Sequence, residues 1–389
     1  MGREKSRMLE ADQRGWYEPD GYVCADCVED EFLKEVVREY ACYRECDYCG
    51  RRTRSHSAAP VVKLMEPIAK TVFYYFNNPT DAYVPYESSE GGWLLDTIGT
   101  HDMLESLGLD CDPGLFEEIA KSFVSDEWVE TADGIWLGSH PHEEMSYEWD
   151  RFTRIVKHEL RYFFDHARSS SIDEEYQPST LLPNIGSLIN QVGLIDSVKT
   201  GVELFRARPK NNEEDWPLED AQELGAPPSE KASAGRMNPA GISYLYLAYD
   251  QVTSLTEIGH RESDQSAIGK FRVQRDLRVL NLTRLPQLPS IFDNERREEA
   301  EGLIFLASFI KEITKPVKKD GKEHVEYAPT QVVSEYFSVV FQSNDGSYLD
   351  GILYPSAVHP SGQNVVLFPT ERCFERKFDQ VEFIDAWMA

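Results

Sequence analysis

Gly235-Arg236-Met237-Asn238-Pro239-Ala240-Gly241-Ile242 runs into Ser243-Tyr244-Leu245-Tyr246-Leu247-Ala248-Tyr249-Asp250, and Thr253-Ser254-Leu255-Thr256-Glu257 follows. The middle run is strand-like. Asp250 with Thr253 offers a cap for a helix that carries Glu257. A short β-to-helix passage thus presents Arg236, Tyr246 and Glu257 at nearly even spacing. A planar guanidinium suits an anionic group, and a carboxylate suits a sugar that becomes cationic. Together such groups can hold a nucleotide and cleave its glycosidic bond.

The surrounding pattern mixes short strands with packing helices. Residues 184–198 read as a helix, and 202–208 alternate like a strand. An acid- and proline-rich loop covers 209–230. Residues 270–273 and 278–282 read as strands, 292–314 and 330–337 as helices, and 351–354 and 364–368 as strands. This texture is α+β and not a doubly wound parallel sheet. No G-x-G-x-x-G and no G-x-x-x-x-G-K-[ST] occurs, so neither Rossmann-type dinucleotide binding nor P-loop chemistry has support.

Upstream, five of the seven cysteines fall between Cys24 and Cys49. Cys24-Ala25-Asp26-Cys27 and Cys46-Asp47-Tyr48-Cys49-Gly50 form two C-x-x-C knuckles at the spacing of a four-cysteine zinc site. Gly50 can let the chain leave its turn at positive φ. A redox C-x-x-C pair is the alternative. Cys42 reads as a spectator, and Cys111 and Cys373 as small buried side chains. Past the knuckles the chain reads as mostly helical. Residues 61–76 are apolar-rich around Pro67, and 113–124 have proline in the first turn. Residues 145–164 are amphipathic, with Met145, Trp149, Phe152, Val156, Leu160 and Phe163 on one face. The organisation expected is a polar tail over 1–20, a zinc-knuckle and helical domain over 21–166, a serine-rich linker over 167–183 and an α+β domain over 184–389.

The 389 residues suit two domains. A net charge of −28 disfavours broad binding to DNA or RNA, though a local basic pocket for one small anion is compatible with it. Arg206, Arg208 and Lys210 form one basic cluster, and residues 270–278 hold another that reads as solvated surface. No apolar run approaches the ~20 residues of a membrane span. With no signal-like start, a cytoplasmic location is expected.

The C-terminal landmarks resemble the RES domain, named for arginine, glutamate and serine and found in bacterial toxins that consume NAD. They are Leu204-Phe205-Arg206-Ala207-Arg208, the Gly235 and Tyr244 runs, Thr253 to Glu257, Tyr327-Ala328-Pro329-Thr330-Gln331 and Gly351-Ile352-Leu353-Tyr354-Pro355-Ser356. Met237 stands where that family usually has an aromatic residue. The front half, from Cys24 through Val156-Lys157-His158-Glu159-Leu160-Arg161, resembles the HEPN-related module that precedes some RES domains. The resemblance implies a fold like the ADP-ribosyltransferases and loss of nicotinamide from NAD. It assigns Glu257 to the ribose, Arg206 and Arg236 to phosphate and ribose, Tyr246 to stacking on nicotinamide and Ser356 to orienting the nucleotide. It implies NAD as substrate, a structural zinc on Cys24, Cys27, Cys46 and Cys49, and room for an antitoxin or regulatory partner and for a homo-oligomer. The acceptor stays open between water, phosphate and a protein, the last being an ADP-ribosyltransferase. A ribonuclease or nucleic-acid sensor in the front half is the third reading. Arg161 to His166 fits its R-x(4–6)-H motif formally, with a helix-end histidine as the alternative.

Overall fold

The computed structural model describes residues 10–89, 91–163, 178–210, 221–261, 264–317, 320–370 and 378–389. The chain divides into two compact units, Met1–Glu144 with Leu288–Gly302, and Met145–Gln287 with Leu303–Ala389. Most of the serine-rich segment 167–183, expected as a linker, lies outside the described residues. Compactness places Met145 and the residues after it in the second unit. The reason is packing: Trp149, Phe152 and Val156 share a core with Leu181, Ile185 and Phe309.

The first unit is built around α1 (Val62–Tyr75), whose Leu64, Met65, Ile68 and Val72 are buried. Leu115 and Ile119 of the helix Pro113–Ser122 join the same core, as does Trp128. Asp112 caps that helix by accepting from the Gly114 amide at 2.8 Å, and Pro113 fills the position where no amide is needed. The strand Tyr22–Cys24 pairs antiparallel with Ala58–Pro60.

The second unit carries α2 (Pro141–His158, entered at Met145), α3 (Pro178–Val192), α4 (Gln251–Glu257), α5 (Arg297–Thr314, from Leu303) and α6 (Ala328–Val339). Its strands are β1 (Ile195–Val198), β2 (Glu203–Pro209), β3 (Leu245–Ala248), β4 (Ser266–Val273), β5 (Leu277–Asn281), β6 (Gly351–Pro355), β7 (Gln363–Leu367) and β8 (Val381–Met388). They form one sheet in the order β8-β4-β2-β3-β7-β6-β5-β1. Every pairing is antiparallel except β5 with β6. Mixed helix and antiparallel-dominated sheet make the fold α+β.

Alternation along the central strands creates two apolar faces. Leu280, Ile352, Tyr354 and Val366 pack with the helices. Val279, Leu353, Val365 and Leu367 pack on the other face with Leu245, Leu247 and Phe271. A strand buried on both faces reads as an unbroken apolar run, as residues 365–368 do.

Two expected helices end differently. Residues 145–164 were expected to stay helical, but α2 closes at His158, where the Glu159 and Leu160 amides both reach the Ile155 carbonyl at 2.8 and 2.9 Å. Leu160 and Phe163, read as part of the apolar face, are exposed. The helix read over 184–198 is instead α3 ending at Val192, followed by β1. Gly193, at φ +71, makes that break.

Candidate functional site

The glycine-arginine run is held by a network that explains its composition. Asn238 Nδ2 donates to the carbonyls of Ser233, Pro239 and Ile242 at 3.0, 3.1 and 2.8 Å, closing the loop on itself. Gln331 of α6 donates to the Gly235 and Asn238 carbonyls, and Thr330 donates to that of Arg236 at 2.6 Å. Tyr246 on β3 completes the clamp. Its hydroxyl donates to Asn238 Oδ1 at 2.7 Å and accepts from the Met237 amide at 3.0 Å. A Cβ at Gly235 would meet Asn238 Oδ1 at 2.6 Å and the Tyr246 hydroxyl at 2.7 Å, so a larger residue here must displace the clamp. Gly235→Ala is expected to cost about 1–3 kcal/mol through that overpacking, read as a lower melting temperature of the second unit. An unchanged melting temperature would show that the clamp yields freely.

The Tyr246 ring lines a cavity of about 210 Å3 with Arg206, Glu257, Tyr354, Asn364 and Ser254. Register explains the gathering. Tyr354 of β6 lies opposite Asn364 of β7, and Asn364 lies opposite Ala248 of β3. Asp250 caps α4, accepting from the Thr253 amide at 2.8 Å, and α4 delivers Glu257 at its last turn. Burial raises the Tyr246 and Tyr354 hydroxyls above the usual phenol range, so both stay neutral.

Glu257 is fixed through one oxygen. Its Oε1 accepts from Ser356 Oγ at 2.7 Å and from Asn364 Nδ2 at 2.6 Å. The Ser356 oxygen itself accepts from the amides of His359 and Val358, at 3.0 and 3.3 Å, which turns its hydrogen towards the carboxylate. The second carboxylate oxygen has no partner among the described residues. Arg206, on β2, donates to the Gly225 carbonyl and, at 3.5 Å, to that of Leu224. No carboxylate pairs with it among the described residues, and burial lowers its pKa to about 10. The guanidinium remains charged at neutral pH, next to a cavity, with only carbonyl partners among the described residues.

Thus Arg206, Tyr246 and Glu257 share the cavity, and Ser356 reaches it through Glu257. Arg236 does not line it. Its guanidinium donates to the carbonyls of Ile313 and Lys315, at 3.0 and 2.6 Å, at the C-terminal end of α5. A cation there meets unsatisfied carbonyls and the negative end of the helix dipole. Asn364 and Tyr354 were missed, although both sit in strands that the pattern does show. Facing strands reveal a shared site only when their register is known.

In the first unit, Cys24, Cys27, Cys46 and Cys49 converge with all four sulfurs within 4.8 Å of one another. The separations are 3.8 Å for Cys24–Cys27, 3.6 Å for Cys24–Cys49 and 3.7 Å for Cys27–Cys46. A tetrahedral ion with metal–sulfur bonds of ~2.3 Å needs sulfurs about 3.8 Å apart. A disulfide needs ~2.05 Å, so these are free thiols whose spacing could hold a metal ion. Gly50 leaves the second knuckle at φ +67, as expected. Burial opposes ionisation of Cys46, but the amides of Cys49, Cys24 and Tyr48 outweigh it and lower its pKa. Cys42 is exposed and outside the cluster, while Cys111 is only partly buried. Arg161 lies past the end of α2, and His166 and Cys373 lie outside the described residues.

No helix among the described residues is long and apolar enough to cross a membrane. Surface cations of 270–278 are ion-paired, Lys270 and Arg272 with Glu203, Arg275 with Asp350 and Arg278 with Asp345. No curated protein and no solved structure matches the chain. Two family models match it, HEPN/RES N-terminal domain 1 over residues 41–170 and the RES domain over residues 203–388. The second range contains every residue of the cavity, and the first begins between the two cysteine knuckles. The chain is therefore a HEPN/RES N-terminal domain 1 followed by a RES domain.

Proposed function

We propose that the RES-domain cavity binds NAD and cleaves its nicotinamide–ribose bond, with water as the first acceptor to test. A RES domain is consistent with an NAD-related toxin family. The observation that carries the reading is a carboxylate and a guanidinium in one cavity that are incompletely paired among the described residues: Glu257 is held there through one oxygen, and Arg206 there meets only carbonyls. At about 210 Å3 the cavity is below the ~300 Å3 at which small-molecule pockets usually begin. It suits the nicotinamide riboside portion, with the rest of the dinucleotide extending outside.

In this reading Arg206 meets the pyrophosphate through charge-assisted hydrogen bonds. The Tyr246 and Tyr354 rings wall the nicotinamide. The free oxygen of Glu257 accepts from a ribose hydroxyl and faces the charge that develops on the sugar. The C1′–N bond breaks with its electron pair leaving on nicotinamide, and the ribose becomes an oxocarbenium ion. Water adds to C1′ and loses a proton, giving ADP-ribose. Phosphate in place of water gives a phosphorylase, and a protein side chain gives a transferase. Ser356 and Asn364 act as positioning residues by fixing the other oxygen of Glu257. Arg236, expected to hold phosphate, is assigned here to positioning the loop that clamps Tyr246.

The test incubates pure protein with NAD and follows nicotinamide, ADP-ribose, its phosphorylated form and modified protein by mass spectrometry. Absence of nicotinamide release would end the proposal. Arg206→Gln should raise KM for NAD by about 10–100-fold, the loss of a hydrogen-bonded charge worth ~1.5–3 kcal/mol. An unchanged KM would remove Arg206 from the phosphate role.

A further inference from the structure

A second cavity, of about 480 Å3, lies wholly within the first unit. It is more than twice the size of the RES cavity and falls within the ~300–1,000 Å3 typical of small-molecule sites. Its apolar wall is aromatic, made by Trp16, Phe73 and Tyr74, and three cations border it: Arg14, Lys70 and Arg297. Two of the guanidinium groups lie against rings. Arg14 sits 4.0 Å from the Trp16 centroid, and Arg297 sits 4.0 Å from that of Tyr74.

The charges are incompletely matched. Arg14 pairs with Glu18 at 2.9 Å. Lys70 and Arg297 have no carboxylate partner within salt-bridge distance among the described residues. Arg297 donates through one terminal nitrogen to Asn294 and, at 3.2 Å, to the Lys70 carbonyl. Its Nε is buried and has no hydrogen-bond partner. Of the two acids on the wall, Glu66 is engaged by Lys63 at 3.3 Å. Asp133 pairs with no cation among the described residues. In a chain of net charge −28, two unmatched cations around one aromatic cavity are an uncommon local balance.

Gly15 protects the shape of this wall. It adopts φ +78, and a Cβ there would lie 2.3 Å from the Phe73 ring. The side of the cavity holding Phe73 and Trp16 is therefore set by backbone that admits no larger residue.

We propose that this cavity is a nucleotide site separate from the RES cavity, taking a nucleoside mono- or diphosphate. The base packs against Phe73, which carries no guanidinium among the described residues, the phosphate is met by Lys70 and Arg297, and Asp133 accepts from ribose hydroxyls. Aromatic surface, cations and one free carboxylate match base, phosphate and sugar in turn. A simple anion would use only the cations, and a neutral nucleoside only the rings.

The experiment is calorimetric titration of the full chain with AMP and ADP, neither of which has a nicotinamide bond to cleave. Adenosine and inorganic phosphate serve as separate arms. Lys70 is exposed, so Lys70→Glu should fold normally. It should weaken AMP binding by about tenfold or more, since a charge contact is replaced by a like-charge one. Phe73→Ala should weaken AMP and adenosine together. Arg206→Gln, in the other cavity, should leave this binding unchanged. No saturable AMP binding overturns the proposal. So does loss of binding in Arg206→Gln with Lys70→Glu unaffected, or phosphate binding as tightly as AMP.

Discussion

Glu257→Gln is expected to retain NAD binding while releasing nicotinamide about 10²–10³-fold more slowly, the usual loss for one preorganised electrostatic group. The substitution keeps size and hydrogen-bonding reach. It removes the negative charge that Ser356 and Asn364 now hold in place through Oε1. Both of those donors can still reach a glutamine carbonyl, so the cavity should keep its shape. The loss should therefore appear in kcat and not in KM. Overproduced wild-type protein should lower cellular NAD and arrest growth, and the Gln variant should do neither. His166→Ala serves as the contrast, since the R-x(4–6)-H reading makes that histidine catalytic in the front half. If His166→Ala abolishes toxicity and Glu257→Gln leaves it intact, the activity belongs to the N-terminal domain and the RES reading fails.

The residues of the candidate site were legible to different degrees, for physical reasons. Glu257 could be read because a local signal, Asp250 capping a short helix, fixes where its side chain emerges. Tyr246 could be placed on a strand, but its hydroxyl proves to be committed to Asn238 and Met237, a contact across a loop that no periodicity encodes. Arg236 shows the limit of motif reading. Its neighbours Gly235 and Asn238 build the loop, while its own guanidinium spans to the end of α5, some 77 residues along the chain. Asn364 was invisible because residues 364–368 read as apolar strand, and only the pairing of β7 with β6 and β3 reveals what faces Glu257. The extent of α2 was misread for a related reason. Hydrophobic spacing continues through Leu160 and Phe163, but the backbone closes at His158 and leaves both exposed. Strand β8 was missed because, as a sheet edge, it is only partly buried and mixes Glu382 and Asp385 with aromatic residues.

Removal of metal should have the largest effect on the first unit. The four sulfurs of Cys24, Cys27, Cys46 and Cys49 are already at tetrahedral spacing, and four protein ligands leave no position for water, so a zinc ion here would be structural and not catalytic. The knuckles add to contacts that already join these parts of the chain, such as the Tyr22 amide donating to Asp47 Oδ2 at 2.7 Å. The Cys24 amide donates to Cys46 Sγ at 3.3 Å, and Cys24 ends the strand that pairs with Ala58–Pro60. Structural zinc in comparable small sites contributes on the order of 10 kcal/mol, which is as large as the stability of a typical domain. Purified protein should therefore carry one zinc per chain by elemental analysis. A strong chelator, or Cys46→Ser, should lower the melting temperature of the first unit or abolish its cooperative unfolding. Cys42→Ser should change neither, because that thiol is exposed and outside the ligand set. Metal-free protein that melts as the untreated protein does would show that the thiols pack without an ion, and would leave the cluster without a structural role.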